Sequence, residues 1–176
     1  TDTFSGSYGI YPYADGWKSQ RAPELLSKEE QKQCLSLPQT LTPEVAKQAQ
    51  KVAGPYADPE EKAKRITAYF QTQFTYGYEY PFESSRTALE EFLVKRPPAH
   101  CEFFATATAL MLRAQGVPTR YINGFVVQER SYDDSYYVIR LKHAHAWVEA
   151  YLPGKGWTTF DPTPPGVLES PDHHND

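Results

Sequence analysis

The chain has only two cysteines, Cys34 and Cys101, and one methionine in 176 residues. Two cysteines cannot build a disulfide scaffold and fall short of a structural zinc site. They also leave the redox compartment open. No run approaches the roughly 18–20 apolar residues that span a bilayer, so the segment itself is expected to make no membrane contact. A basic excess is lacking too: 18 Lys and Arg stand against 22 Asp and Glu, for a net charge of −4. That balance excludes nucleic-acid binding by bulk charge. Neither an internal repeat nor a low-complexity block is present. The absence of an initiator Met and of a basic-then-apolar leader reads as an excised domain or a processed chain. What the chain does have is 40% hydrophobic and 14% aromatic residues, with 15 prolines. A packed core is within reach at this size and composition, and disorder throughout is excluded.

Residues 1–40 read as a Tyr- and Pro-rich arm carrying one short helix, 41–166 as a single core, and 167–176 as a flexible tail. In the arm, Tyr8, Tyr11, Tyr13 and Trp17 are expected to lay their rings on the domain surface. Ser27-Lys28-Glu29-Glu30 is a capping box for a helix ending near Cys34. Thr42-Pro43-Glu44 and Asp58-Pro59-Glu60-Glu61 start two further helices, to Val52 and to about Gln73. Ile66, Tyr69, Phe70 and Phe74 share one face of the second, and Glu60→Lys64 and Glu61→Arg65 brace its wet side. Phe74 to Phe82 reads as an extended aromatic loop, and Thr87–Val94 as a short helix. Cys101–Ala114 is apolar nearly all round, which marks a central helix, stopped by Gly116 and Pro118. The period then changes. Thr119–Gln128, Ser135–Leu141, His145–Leu152 and Trp157–Phe160 read as about four antiparallel strands joined by short turns. Helices first and strands afterwards is an α+β order.

Cys101 stands at the start of the central helix. A helix N-terminus favours negative charge, so a thiolate is stabilised there, and the free N–H groups of the first turn can receive an oxyanion. A buried structural cysteine is the plain alternative. His145, in Ala144-His145-Ala146-Trp147, offers the base a thiol needs. Asp161, in Phe160-Asp161-Pro162-Thr163, offers the group that orients that base. If these two face each other across a hairpin, its loop runs from Tyr151 to Lys155. His143, on the same strand face, competes for the role of base. His100 precedes Cys101, and neighbours at i,i+1 diverge around a helix start, so it is expected at the rim. For His145 to reach Cys101, its face, with Trp147, Glu149 and Tyr151, must look toward the helix. Glu149 is then drawn partly inside and needs hydrogen-bond partners. Zinc is a rival use of Cys101, His143, His145 and Asp161, but His-x-His on one strand with a lone cysteine forms no standard closed spacing.

Three segments together resemble a known family. Ala99-His100-Cys101-Glu102-Phe103-Phe104-Ala105, followed by Leu112-Arg113-Ala114-Gln115-Gly116-Val117-Pro118-Thr119-Arg120, is similar to the nucleophile block of the bacterial transglutaminase-like (transglutaminase-core) superfamily. His145-Ala146-Trp147-Val148-Glu149-Ala150-Tyr151 resembles its histidine block, and Gly156-Trp157 through Phe160-Asp161-Pro162-Thr163 its aspartate block. The resemblance covers about residues 35–165. It implies a papain-like α+β fold, with N-terminal helices and a nucleophile helix packed on an antiparallel sheet. It also implies a Cys101–His145–Asp161 triad and acyl transfer through a thioester on protein or peptide amides. A transglutaminase, an amidase and a peptidase all fit. The Cys101 backbone, Tyr76 and Tyr78 are oxyanion candidates; Trp147, Glu149 and His100 are expected around the triad. The family suggests an extracytoplasmic domain of a larger membrane-anchored protein. There is no acidic loop run of calcium type, and no metal or cofactor is expected. A non-catalytic binding or assembly module and an arylamine acetyltransferase-like enzyme are the alternatives on the same fold.

Overall fold

Capping chemistry fixes where the N-terminal helices begin. The computed structural model describes residues 25–39, 41–56, 58–78, 88–127, 129–133 and 135–165. The aromatic residues expected in the arm and the expected tail at 167–176 lie outside them. Helix α1 (Lys28–Leu35) starts at a capping box: Ser27 Oγ accepts the Glu30 N–H at 3.2 Å, and Glu30 Oε2 accepts the Ser27 N–H at 2.9 Å. Helix α2 (Pro43–Ala53) has Thr42 in the N-cap position and Pro43 in its first turn, but Thr42 Oγ1 makes no capping bond. Helix α3 (Pro59–Gln73) is capped by Asp58, whose carboxylate accepts the Glu60 N–H at 3.3 Å. On its wet side Lys64 reaches Glu60 at 2.9 Å and Arg65 reaches Glu61 at 2.7 Å. Its dry side inserts Phe70 among Phe74, Phe92 and Phe104, with ring centroids 4.9, 5.9 and 6.2 Å away. Helix α4 (Ala88–Lys95) carries Phe92 into the same cluster.

Helix α5 (Cys101–Ala114) packs against α1, α2, α3 and α4, and against β1 (Thr119–Phe125) and β2 (Ala144–Leu152). Its alanines 105, 107 and 109 are buried and let neighbours approach closely. It ends in a Schellman motif: the Val117 N–H donates to Leu112 O and the Gly116 N–H to Arg113 O, both at 3.0 Å. Gly116 takes the left-handed conformation this requires, at φ +77°. With β3 (Gly156–Phe160), the strands form an antiparallel sheet in the order β1-β2-β3.

Three sequence expectations need correction. The sheet has three strands among the described residues, not about four. Ser135–Leu141 forms one isolated bridge, Arg130↔Tyr137, and ends in a 3₁₀ turn at Leu141–His143. Its Tyr136, Ile139 and Leu141 side chains are exposed, so this alternating segment has no buried face to hold it as a strand. The β2–β3 register is also two residues from the one expected. Leu152 pairs with Gly156, leaving a three-residue loop. There Pro153 and Gly154 (φ +76°) fill a turn closed by the Lys155 N–H to Leu152 O at 3.1 Å. A slip of two keeps every side chain on its face, whereas a slip of one would have turned Asp161 away from His145. Finally, the β2 face against α5 is Ala146, Val148, Ala150 and Leu152, all buried. The face of His145, Trp147, Glu149 and Tyr151 looks the other way, because the small and aliphatic set packs on a helix more closely.

Candidate active site

Cys101 meets His145 at the end of the sheet and not beneath its face. The sulfur faces the rings of His100 and His145 and the backbone N–H of Ala146. Burial pushes the Cys101 thiol up. The two imidazole bonds, the His145 charge and the Ala146 N–H outweigh it and bring the thiol down to about 6. On the other side of the His145 ring, Nε2–H donates to Asp161 Oδ2 at 2.7 Å, which leaves Nδ1 for the sulfur. Burial lowers the His145 pKa, but the bond to Asp161 and the contact with Cys101 prevail and raise it to about 9. Both shifts favour a thiolate beside an imidazolium, the pairing that attack on a carbonyl carbon uses.

Asp161 is fixed from three sides. Its Oδ1 accepts the Thr163 N–H at 2.9 Å, its carbonyl accepts from Gln71 Nε2 at 2.8 Å, and its Oδ2 holds the ring. The register, carried one step past Phe160, sets Asp161 opposite Trp147, so it reaches His145 diagonally. Trp147 stacks on the His145 ring at 5.9 Å and 22°. It can do so because residue 124, paired with His145, is glycine: a Cβ there would fall 2.6 Å from Trp147 Cη2. Gly124 is not among the residues the sequence pattern singles out. Its signal was an isolated glycine inside a strand, which marks a close approach.

The aromatic loop reaches the site through a parallel bridge, Tyr76↔Ala99, with the Gly77 N–H donating to Ala99 O at 3.1 Å. The hydroxyls of Tyr76 and Tyr78 lie 2.6 Å apart. Tyr76 also bonds the Cys101 sulfur; burial first, then the Tyr78 bond and the negative sulfur, hold its hydroxyl protonated far above the usual range. From β1, Tyr121 shares the α5-facing side with Asn123 and feels the charges of Glu102 and Cys101. Burial and those charges push it up to about 12.

Glu149 finds the hydrogen-bond partner expected of it but away from the triad, His143 turns away from the sulfur, and His100 lies nearer the sulfur than the expected rim position. Glu149 is on the outward face, bound by Arg120 Nε at 2.6 Å, with the Arg120 guanidinium 4.2 Å above the Trp157 ring. It is four residues along the strand from His145, outside the cluster. His143 lies in the 3₁₀ turn. Its Nδ1 accepts the Arg140 N–H at 3.1 Å and its Nε2 lies 3.9 Å from Glu129, so its ring is engaged away from the sulfur. His100, in contrast, does reach Cys101. Divergence at i,i+1 applies to helical residues, and His100 is the N-cap of α5 with extended dihedrals of −89° and 172°. Among the described residues no group of three or more His, Cys, Asp and Glu side chains is arranged to hold a metal ion.

A family model described as the transglutaminase-like superfamily matches residues 46–162. Among curated proteins, YebA of Bacillus subtilis is 29% identical over 136 residues, covering 73% of this chain and 18% of its own length. A protein-glutamine gamma-glutamyltransferase of Pseudomonas aeruginosa is 29% identical over 130 residues, covering 73% of this chain and 19% of that enzyme. The solved periplasmic domain of TgpA from Pseudomonas aeruginosa, bound to ethylmercury, superposes with a TM-score of 0.74 at 26% identity. That match covers 82% of this chain and 53% of the other. The chain thus spans about a fifth of the curated relatives it matches, and about half of the solved domain.

Proposed function

The chain belongs to the transglutaminase-like superfamily, and from that premise we propose that it is a cysteine acyltransferase or hydrolase acting on protein or peptide amides through a Cys101–His145–Asp161 triad. The observation that carries this is the continuous chain from sulfur to imidazole to carboxylate, with a lowered thiol and a raised ring. Cys101 Sγ attacks the carbonyl carbon of a side-chain or main-chain amide. The tetrahedral oxyanion is received by the Cys101 backbone N–H, which has no acceptor within the helix, and by the Tyr76 hydroxyl. Tyr78 orients that hydroxyl. As the C–N bond breaks, His145 passes its proton to the departing nitrogen, and a thioester remains on Cys101. His145 then takes a proton from an incoming amine or water, the C–S bond breaks, and sulfur leaves with the electron pair. Asp161 holds the ring in one orientation throughout.

Residues 41–166 are taken as the catalytic core; the family match falls within them. The related P. aeruginosa enzyme is named for glutamine γ-carboxamides, and these are the substrate class proposed here. An extracytoplasmic location is part of the proposal, and the likeness to a periplasmic domain supports it. Among the described residues no helix is long and apolar enough to cross a membrane. The test is mass spectrometry of glutamine-containing peptides incubated with the chain, with and without a primary amine, against Cys101→Ala. Amine incorporation, deamidation and main-chain cleavage leave different mass changes. Any of the three, lost in Cys101→Ala, supports acyl transfer. Absence of all three, with equal sluggish alkylation of Cys34 and Cys101, identifies a binding module instead.

A further inference from the structure

The His145 side chain is 2% exposed, enclosed by the sheet end and Asp161, while that of His100 is 31% exposed. Both rings nevertheless face the same sulfur. The His100 ring has a rigid seat. It stacks on Tyr78 at 5.9 Å and 9° and takes the edge of Phe103 at 5.2 Å and 81°. Its Nδ1 is 3.8 Å from Glu102 Oε2. We propose that His100 is a positioning residue for the nucleophile: a second, solvent-side imidazole that holds the Cys101 sulfur as its anion, seated by Tyr78 and Phe103 and backed by the Glu102 carboxylate.

This deepens the acyl-transfer function proposed above and rests on it. The physical need arises when the thioester breaks down. The C–S bond parts with its electron pair on sulfur, and two donors aimed at that sulfur make it a better leaving group than one. The groups facing His100 all bear on its proton. Cys101 faces it, and Glu102 lies on its other side. Past the sulfur stand Tyr76, whose hydroxyl stays protonated, and the His145 imidazolium. The bond to Cys101 raises the His100 pKa, burial opposes this, and the Glu102 charge adds to the rise.

The experiment is ultraviolet titration of the thiolate in the 176-residue chain carrying Cys34→Ser, so that one thiol reports. It needs no substrate, and so remains readable whether or not the chain transfers acyl groups. His100→Phe keeps an aromatic ring against Tyr78 and Phe103 but removes the ring nitrogens. Its Cys101 midpoint is expected to rise by about one unit, and His100→Gln, which retains an N–H donor, to recover part of that shift. His145→Ala should still titrate below the ordinary thiol range, and His100→Phe/His145→Ala should lose that remainder. A wild-type midpoint in both His100 variants, with His145→Ala alone carrying the whole rise, overturns the proposal. Circular dichroism of each variant separates a lost fold from a lost bond; should His100→Phe unfold, the His100→Gln midpoint decides in the same directions.

Discussion

At the residue scale, one sulfur at the α5 N-terminus gathers two imidazoles and a backbone N–H, and the pH at which it works follows from them. In the proposed mechanism the nucleophile is the Cys101 thiol, brought down to about 6, and the proton is kept by the His145 ring, raised to about 9. Amine incorporation should therefore rise through an acid limb near 6 and fall through an alkaline limb near 9. A profile with one limb only, or a plateau outside that window, contradicts the ion pair. Asp161→Asn replaces a charged acceptor with a neutral amide. Its alkaline limb should move to lower pH, and kcat/KM should fall by about 10²–10⁴-fold with the fold retained. A steady-state pH series on wild type and variant reads both. That Cys101, His145 and Asp161 lie close together was legible in the sequence, because each stands at the start or end of an adjoining element. The approach of His100 was not. It depends on the extended dihedrals of an N-cap, which i,i+1 spacing does not reveal.

Elements, in turn, hold these residues in register. The α1 capping box, the Asp58 cap of α3 and the first-turn prolines of α2 and α3 act within three or four residues of chain, so helix starts could be read locally. Strand pairing is non-local: the choice between a five- and a three-residue β2–β3 loop was decided by Pro153-Gly154, and the exposure of Ser135–Leu141 only by the absence of a covering layer. Two substitutions test the elements separately. Gly124→Ala puts a methyl group 2.6 Å from Trp147 Cη2, so the indole must leave its stack on His145. A loss of about 1–3 kcal/mol in urea unfolding and a shifted tryptophan emission are expected; unchanged emission would mean that the strand yields instead. Phe70→Ala empties a fully buried site between α3, α4 and α5. It should cost about 3–5 kcal/mol in the same measurement while leaving the Cys101 titration in place in the folded fraction.

For the whole molecule, the ion pair has an effect on stability that neither partner shows alone. His145 is raised from 6.5 to about 9, so its contribution is complete below about pH 6.5 and is lost as the pH rises through about 9. Cys101 is lowered from 9.0 to about 6, so its contribution is present above about pH 9 and is lost as the pH falls through about 6. Between about pH 6.5 and about pH 9 the unfolded chain carries one proton on sulfur, and the folded chain carries one on the ring. The proton counts match, and the pair adds no slope to stability in that window. Cys101→Ala removes the matching. The unfolded chain then holds neither proton, whereas the folded ring keeps its own through the bond to Asp161. Stability of the variant should fall more steeply than that of the wild type as the pH rises across the window. Urea midpoints taken across this range, at constant ionic strength, measure the difference. Parallel curves for the two proteins would show that sulfur and ring do not exchange the proton as the geometry requires.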